Sequence, residues 1–320
     1  MIDEQLEAAI QAGPQPRQES VRRRGRLPRQ ATGYLMIAPA VIFLLLAIGY
    51  PLFETFRLSL FQFTGLRSQT ATFVGLGNFV ELLQDRIFWI SLRNTLLFTV
   101  ASVVLHTLVG GLFALALNQR WPSNRLRNMV RGLLILPWLF SLAASSLIWA
   151  LFLNPLGPLN YLLTASNLVA QPIDFLGRRD TALWALIIIN VWKAYPFYMI
   201  MILGGLQGIP VELYDAAQVD GATRLRRFWH VTLPLLWPVI IAATAIDLIT
   251  TFGVFDVVRI LTNGGPGRST ITLGYYTWQV GFRNVDFGYG AAISVVMLVS
   301  VGIATLLYLR LAGRRESVYG

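Results

Sequence analysis

No cysteine occurs among the 320 residues, which excludes disulfides, thiol nucleophiles and cysteine-ligated metals. Histidine is almost as scarce: His106 and His230 are the only two, too few and too far apart in sequence to suggest a metal site. Of 26 basic residues one is a lysine, Lys193, and it follows Trp192 instead of the glycine of a phosphate-binding Gly-Lys-Ser/Thr loop. The chain has no P-loop of its own, so any ATP and Mg that power it belong to a partner. The serines, histidines and acidic residues form no nucleophile arrangement, and neither a catalytic residue nor a cofactor is assigned. Charge is also in short supply. Only 13% of residues are charged, about half the share of a soluble domain.

What fills the chain instead is apolar: 55% of residues are hydrophobic, with long uncharged runs. A bilayer core needs about 20 apolar residues per helix. Six stretches meet that length or come near it: Tyr34–Phe53, Thr95–Leu117, Val130–Leu153, Ala182–Gly204, Leu235–Phe255 and Gly288–Leu311. Irregular backbone cannot cross lipid unaided, so the expected fold is an all-α integral membrane protein of about six transmembrane helices. Pro39, Pro51, Pro137, Pro196 and Pro238 fall inside or at the ends of these runs, which a helix bundle tolerates. The first run is too long for a signal-peptide core and no A-x-A-like cleavage site follows it. Ahead of the second run, "NFVELLQDRIFWISL" sets Phe79, Leu82, Leu83 and Ile87 at helical spacing, with Glu81, Gln84 and Asp85 off the stripe. It reads either as an amphipathic surface helix or as an extension of the second span.

Net charge is +10, but the arginines flank the spans instead of forming one soluble face, which argues against nucleic acid. Their distribution sets orientation. One side holds the arginine groups within 17–29, 120–131, 224–227 and 310–315, sixteen in all; the other holds nine, at 57, 67, 86, 93, 178, 179, 259, 268 and 283. The bias places both termini of a multi-pass membrane protein in the cytoplasm. Residues 1–30 then form a basic, mostly disordered tail that touches anionic lipid. Residues 31–312 form the membrane domain, and 313–320 a second cytoplasmic tail.

The loop on the arginine-rich side between the fourth and fifth runs, "PVELYDAAQVDGATRLRRFWHVTLP", carries more than a connector needs. Pro210 can open a helix, on which Leu213, Ala216 and Ala217 share a face. Gly221 suits the turn that closes it, and Asp220 beside it can accept local backbone hydrogen bonds. Leu225, Phe228 and Trp229 then make an apolar face, with Arg224, Arg226 and Arg227 at the lipid boundary. Helix, sharp turn and second helix amount to a docking knob of small residues. The stretch resembles the EAA loop of permease subunits of binding-protein-dependent ABC importers: Glu-Ala-Ala, three residues, Gly, nine residues, Ile-x-Leu-Pro. Asp215, Ala216, Ala217, Gly221, Val231, Leu233 and Pro234 hold those places, with Asp for Glu and Val for Ile. "FVGLGNFVELLQD", "LPW", "NPLGPLNYLL" and "LTNGGPGRSTITLGYYTWQVGF…DFGYGAAIS" are similar, in that order, to the carbohydrate-importing branch, which includes maltose, trehalose and glycerol 3-phosphate permeases.

The resemblance implies a type I ABC importer permease fold and an ATPase-coupling role for Asp215, Ala216, Ala217, Asp220, Gly221, Ala222, Leu233 and Pro234 in the loop 210–234. It also implies the partners: a homologous second permease, an ATPase dimer, an extracytoplasmic sugar-binding protein and a sugar. A secondary transporter would be expected to show internal repeats or an intramembrane chain of acidic residues, and neither is present. Permeases for amino acids, polyamines or oxyanions are the nearer alternative, against which the "NGGPG…DFGYGAA" block weighs.

Polar residues within apolar spans are costly and face a cavity or another helix. Asn190, Trp192, Lys193 and Tyr195 in the fourth span, with Asp247, Thr250 and Thr251 in the fifth, are the candidate sugar path. The competing reading is an ion pair between Lys193 and Asp247 that braces two helices, with the threonines bonded to their own backbone. His106, mid-span, is expected to be a hydrogen-bonded helix contact.

Overall fold

Where apolar residues continue for twenty positions or more, a helix lets the backbone satisfy its own polar groups in lipid, and helices are what form. The computed structural model describes residues 29–63 and 71–313. The expected tails up to residue 28 and from 314 lie outside the described residues, as does Arg67. The chain divides into two compact units, Met1–Phe53 and Glu54–Gly320. Among the described residues, five helices are long and apolar enough to cross a membrane, or six if one bent pair counts as a span.

In the first unit α1 (Arg29–Leu44) begins two residues inside the expected tail and passes through a π-helical turn at Leu45–Gly49. Pro51 lies just beyond that turn, and its missing amide disturbs the regular hydrogen-bond ladder there. No side chain between Met36 and Phe53 is buried. The helix continues as α2 (Tyr50–Ser59) across the unit boundary, six residues further than expected.

The second unit opens with a two-stranded antiparallel ladder, β1 (Phe61–Gln62) on β2 (Thr72–Phe73), with Phe61 opposite Phe73. α3 (Gly77–Gln84) follows, and its buried positions are Asn78 and Leu82. Leu83, expected on the apolar stripe, is exposed. The Asn78 amide donates to the carbonyls of Ser59 and Phe61 at 2.8 and 3.0 Å, which draws the stripe toward the ladder. Asp85 is extended (φ −79°, ψ 111°) and its carboxylate accepts from Ile87 N–H at 2.7 Å, capping α4 (Arg86–Leu117). The segment is therefore a separate short helix followed by a second span that starts nine residues before Thr95.

The third expected span, Val130–Leu153, is not one helix. α5 (Asn124–Leu139) and α6 (Leu142–Phe152) meet at 98°. Phe140 and Ser141 are both extended, and Ser141 Oγ accepts from Ala144 N–H to cap α6. With Pro137 already removing a donor from the last turn of α5, the capping serine makes the break the cheaper conformation.

After α7 (Pro158–Ala165), α8 (Ala182–Gln207) forms the fourth span, and α9 (Val211–Val219) lies in the loop beyond it. The fifth span runs through α10 (Arg224–Arg227), a π-turn at Phe228–Thr232 and α11 (Leu233–Phe252). α12 (Asp256–Leu261), α13 (Leu273–Trp278) and a π-turn at Gln279–Arg283 cover the far end before α14 (Phe287–Gly313) returns as the sixth.

α4 packs along α8, and α11 packs on both. The closest approach is at Gly110, where an added Cβ would lie 2.5 Å from Tyr198 Cβ and 2.8 Å from the Tyr195 carbonyl. Two apolar cores result. One gathers Phe98, Leu186, Ile189, Phe252 and Tyr275; the other gathers Ala114, Met199, Ile202, Leu206, Leu236 and Ala243. Each of the three helices contributes to both, and the polar residues between the two sets lie between the cores.

Candidate coupling and transport sites

The loop after α8 has the expected helix, turn and helix. Pro210 is the N-cap of α9 and Asp220 its C-cap. The amides of Asp220, Gly221 and Ala222 close it onto the carbonyls of Ala216, Gln218 and Ala217 at 3.0, 3.0 and 2.9 Å. Gly221 takes φ +74° with no atom within 4 Å of where a Cβ would stand, so the left-handed backbone and not crowding selects glycine there. The Asp220 side chain, expected to accept local hydrogen bonds, accepts none among the described residues; Thr223 Oγ1 caps the next helix instead, from Arg226 N–H at 3.3 Å. Asp215 and Ala216 are exposed, Ala217 and Ala222 half-buried. Val219 at 88% exposure, Leu225 at 69% and Trp229 at 56% leave this knob with an uncovered apolar surface. Leu233 and Pro234 start α11 and close the motif.

The intramembrane candidates separate into two groups. Asp247 and Thr251 of α11 join Asn190 and Tyr198 of α8 and His106 of α4, all buried. The Asn190 amide lies 3.4 Å from His106 Nε2, and His106 Nδ1 lies 2.7 Å from Asp247 Oδ2. If the amide donates to Nε2, the proton on Nδ1 donates to the carboxylate, and both ring nitrogens are satisfied. Asp247 also accepts from Tyr198 Oη at 3.1 Å and from Thr251 Oγ1 at 2.8 Å. His106 is thus a hydrogen-bonded helix contact, as its mid-span place implied.

Lys193 does not pair with Asp247. Its Nζ donates to the Trp138 carbonyl at 2.7 Å. Trp138 sits in the last turn of α5, where carbonyls lack helical partners, and a cation is favourable against that end of the helix dipole. The break in the third span created the acceptor. Tyr195 Oη donates to the Leu134 carbonyl of the same helix at 2.9 Å. Trp192 packs edge-on against Trp149 of α6, ring centroids 5.8 Å apart. Thr250 is exposed and, among the described residues, bonds to the carbonyls of Ile246 and Asp247, away from Thr251's side of the helix.

The far end of the bundle carries residues that the sequence reading did not single out. Asp85 accepts from Tyr276 and, at 3.0 Å, from Tyr289, tying the start of α4 to α13 and α14. Burial first, and then the bond to Asp85, raises the Tyr276 pKa above its usual value, so it stays a proton donor. The Arg259 guanidinium stacks 4.4 Å from the Trp278 ring centroid, beside an open groove of about 680 Å³ shared with Asn263, Phe282 and Arg283. The only sequence signal was that Asp85 closes the "FVGLGNFVELLQD" stretch and the other residues lie in or near the "LTNGGPG…" block.

The profile of the binding-protein-dependent transport system inner membrane component matches residues 106–317. The chain belongs to this family. The trehalose/maltose transport system permease protein MalF of Thermococcus litoralis is 38% identical over 285 residues, 89% of this chain and 94% of that one. The sulfoquinovosyl glycerol permease SmoG of Agrobacterium fabrum is 37% identical over 287 residues, covering 88% and 90%. Among solved structures, the bacterial alginate ABC transporter in complex with alginate pentasaccharide-bound periplasmic protein matches with a TM-score of 0.76 at 25% identity, over 89% of this chain and 95% of that one. The matched region of this permease family member takes in His106, the whole loop 210–234 and the α12–α14 segment. The fold is that of a type I ABC importer permease, multi-pass and predominantly helical.

Proposed function

We propose that this chain is a non-catalytic transmembrane subunit of an ATP-driven sugar importer, forming half of the translocation path with a homologous permease. Both termini and the loop 210–234 face the cytoplasm, where the loop docks on one subunit of an ATPase dimer that binds ATP and Mg. The opposite end receives an extracytoplasmic sugar-binding protein. The observation that carries the sugar class is the 38% identity to a trehalose/maltose permease across 89% of the chain. The orientation is supported by the arginine bias, sixteen against nine. The coupling role is supported by an exposed, small-residue helix closed by a left-handed glycine.

The half-exposed pair Trp192 and Lys193, with Trp149 across the bend, supplies an aromatic surface and a hydrogen-bond donor, the two things a sugar needs. The buried Asn190–His106–Asp247–Thr251 layer has its bonding capacity turned inward and braces the helices, as does Tyr195. The decisive experiment is reconstitution with the permease, ATPase and binding protein encoded by neighbouring genes. Sugar-loaded binding protein should stimulate ATP hydrolysis and uptake into vesicles. Stimulation by an amino acid or polyamine, with no response to any sugar, would overturn the assignment.

A further inference from the structure

Beside the coupling loop an open groove of about 620 Å³ lies between the end of α4 and the helices α9 and α10. Three arginines, Arg120, Arg224 and Arg227, line it together with Asn118, Gln119 and Tyr214. None of the three pairs with a carboxylate among the described residues. Arg227 has one neutral partner, Gln218 Oε1 at 3.3 Å. Tyr214 Oη and Thr232 Oγ1, 3.1 Å apart, bond to each other at the groove wall. Three guanidinium groups in one concavity repel one another in the absence of an anion, and guanidinium matches phosphate oxygens with paired donors.

The groove adjoins a second cavity at Phe228. Phe228 belongs to its wall and also to the wall of an apolar crevice of about 210 Å³. That crevice lies between α4 and α11, lined by Leu108, Gly111, Leu112, Ile202 and Leu236. A basic polar groove that shares one aromatic wall residue with an apolar slot along two membrane helices has the two-part chemistry of a phospholipid. We propose that this is a phospholipid site: the arginines hold the headgroup phosphate, and an acyl chain lies along α4 and α11 past Gly111. Free inorganic phosphate shares the headgroup chemistry alone and would leave the apolar crevice unused. The inference rests on the two cavities and not on the assignment of a sugar or of an ATPase.

The test uses the full chain purified in detergent. Native mass spectrometry measures retained lipid after exposure to vesicles of phosphatidylglycerol or of phosphatidylcholine, and calorimetry measures binding of inorganic phosphate. Arg120→Gln and Arg224→Gln alter groups with no side-chain hydrogen bond in the described fold, and together they should lower phosphatidylglycerol retention by about tenfold or more. Gly111→Leu fills the crevice, where an added Cβ meets only Ile202 at 3.7 Å, and should lower lipid retention while leaving any phosphate binding unchanged. Three results would overturn the proposal: retention unaltered by both sets of variants, phosphate binding with no retained lipid, or loss of ATPase assembly in Arg120→Gln/Arg224→Gln with no phospholipid bound to the original chain. The last would make the groove a receptor for acidic side chains of the ATPase.

Discussion

Asp247 is where three spans converge, accepting hydrogen bonds from His106, Tyr198 and Thr251. Two of these bonds, from His106 and Tyr198, are interhelical, and such bonds in membrane proteins contribute about 0.6 to 1.7 kcal/mol each, so Asp247→Ala should cost about 1–3 kcal/mol. Thermal unfolding of the purified chain measures this. Lys193→Met removes one bond to the Trp138 carbonyl and should cost about 1 kcal/mol. The two losses should add, since the residues share no partner. A coupling well above about 0.5 kcal/mol in the double variant would restore the Lys193–Asp247 ion pair that the geometry rejects. Gly110 gives a second residue-level expectation. Gly110→Leu places side-chain atoms where Tyr198 and the backbone at Tyr195 already stand. Overpacking there should cost about 1–3 kcal/mol or prevent the purified chain from staying monodisperse; a fully stable variant would contradict the close α4–α8 approach.

At the scale of elements, the loop 210–234 depends on one backbone conformation. Gly221 at φ +74° has open space around it, so a substitution there tests strain alone. A β-branched residue in the left-handed region costs about 1–2 kcal/mol or more, whereas asparagine tolerates it. Gly221→Val should uncouple sugar-stimulated ATP hydrolysis while the subunit still inserts and is purified in normal amount; Gly221→Asn should retain most coupling. Equal activity in both variants would remove the turn from the coupling role. The bent α5–α6 pair shows how one element creates another's partner. Its 98° break leaves the Trp138 carbonyl available, and Lys193 fills it.

At the scale of the whole molecule, the absence of cysteine makes topology directly measurable. Val219 is 88% exposed and Leu156 is 94% exposed, one in the coupling loop and the other between the third and fourth spans. In intact cells, Leu156→Cys should react with a membrane-impermeant maleimide and Val219→Cys only after permeabilisation. The reverse pattern would invert the orientation read from the arginines.

The sequence by itself determined the membrane class, six apolar runs and the form of the loop 210–234. Each rests on local chemistry: run length against bilayer thickness, charge placement, and a helix-opening proline followed by a left-handed glycine at fixed spacing. It also marked Asn190, Lys193, Asp247 and Thr251 as polar groups needing partners. Which partner each takes was decided by the tertiary structure alone. Two helical residues three or four apart share a face whatever surrounds them, but the facing helix, its register and its breaks are set by packing. Asp247 meets His106 and Tyr198 because Gly110 lets α4 close onto α8. Lys193 turns elsewhere because a proline and a capping serine break the third span and expose a carbonyl within its reach.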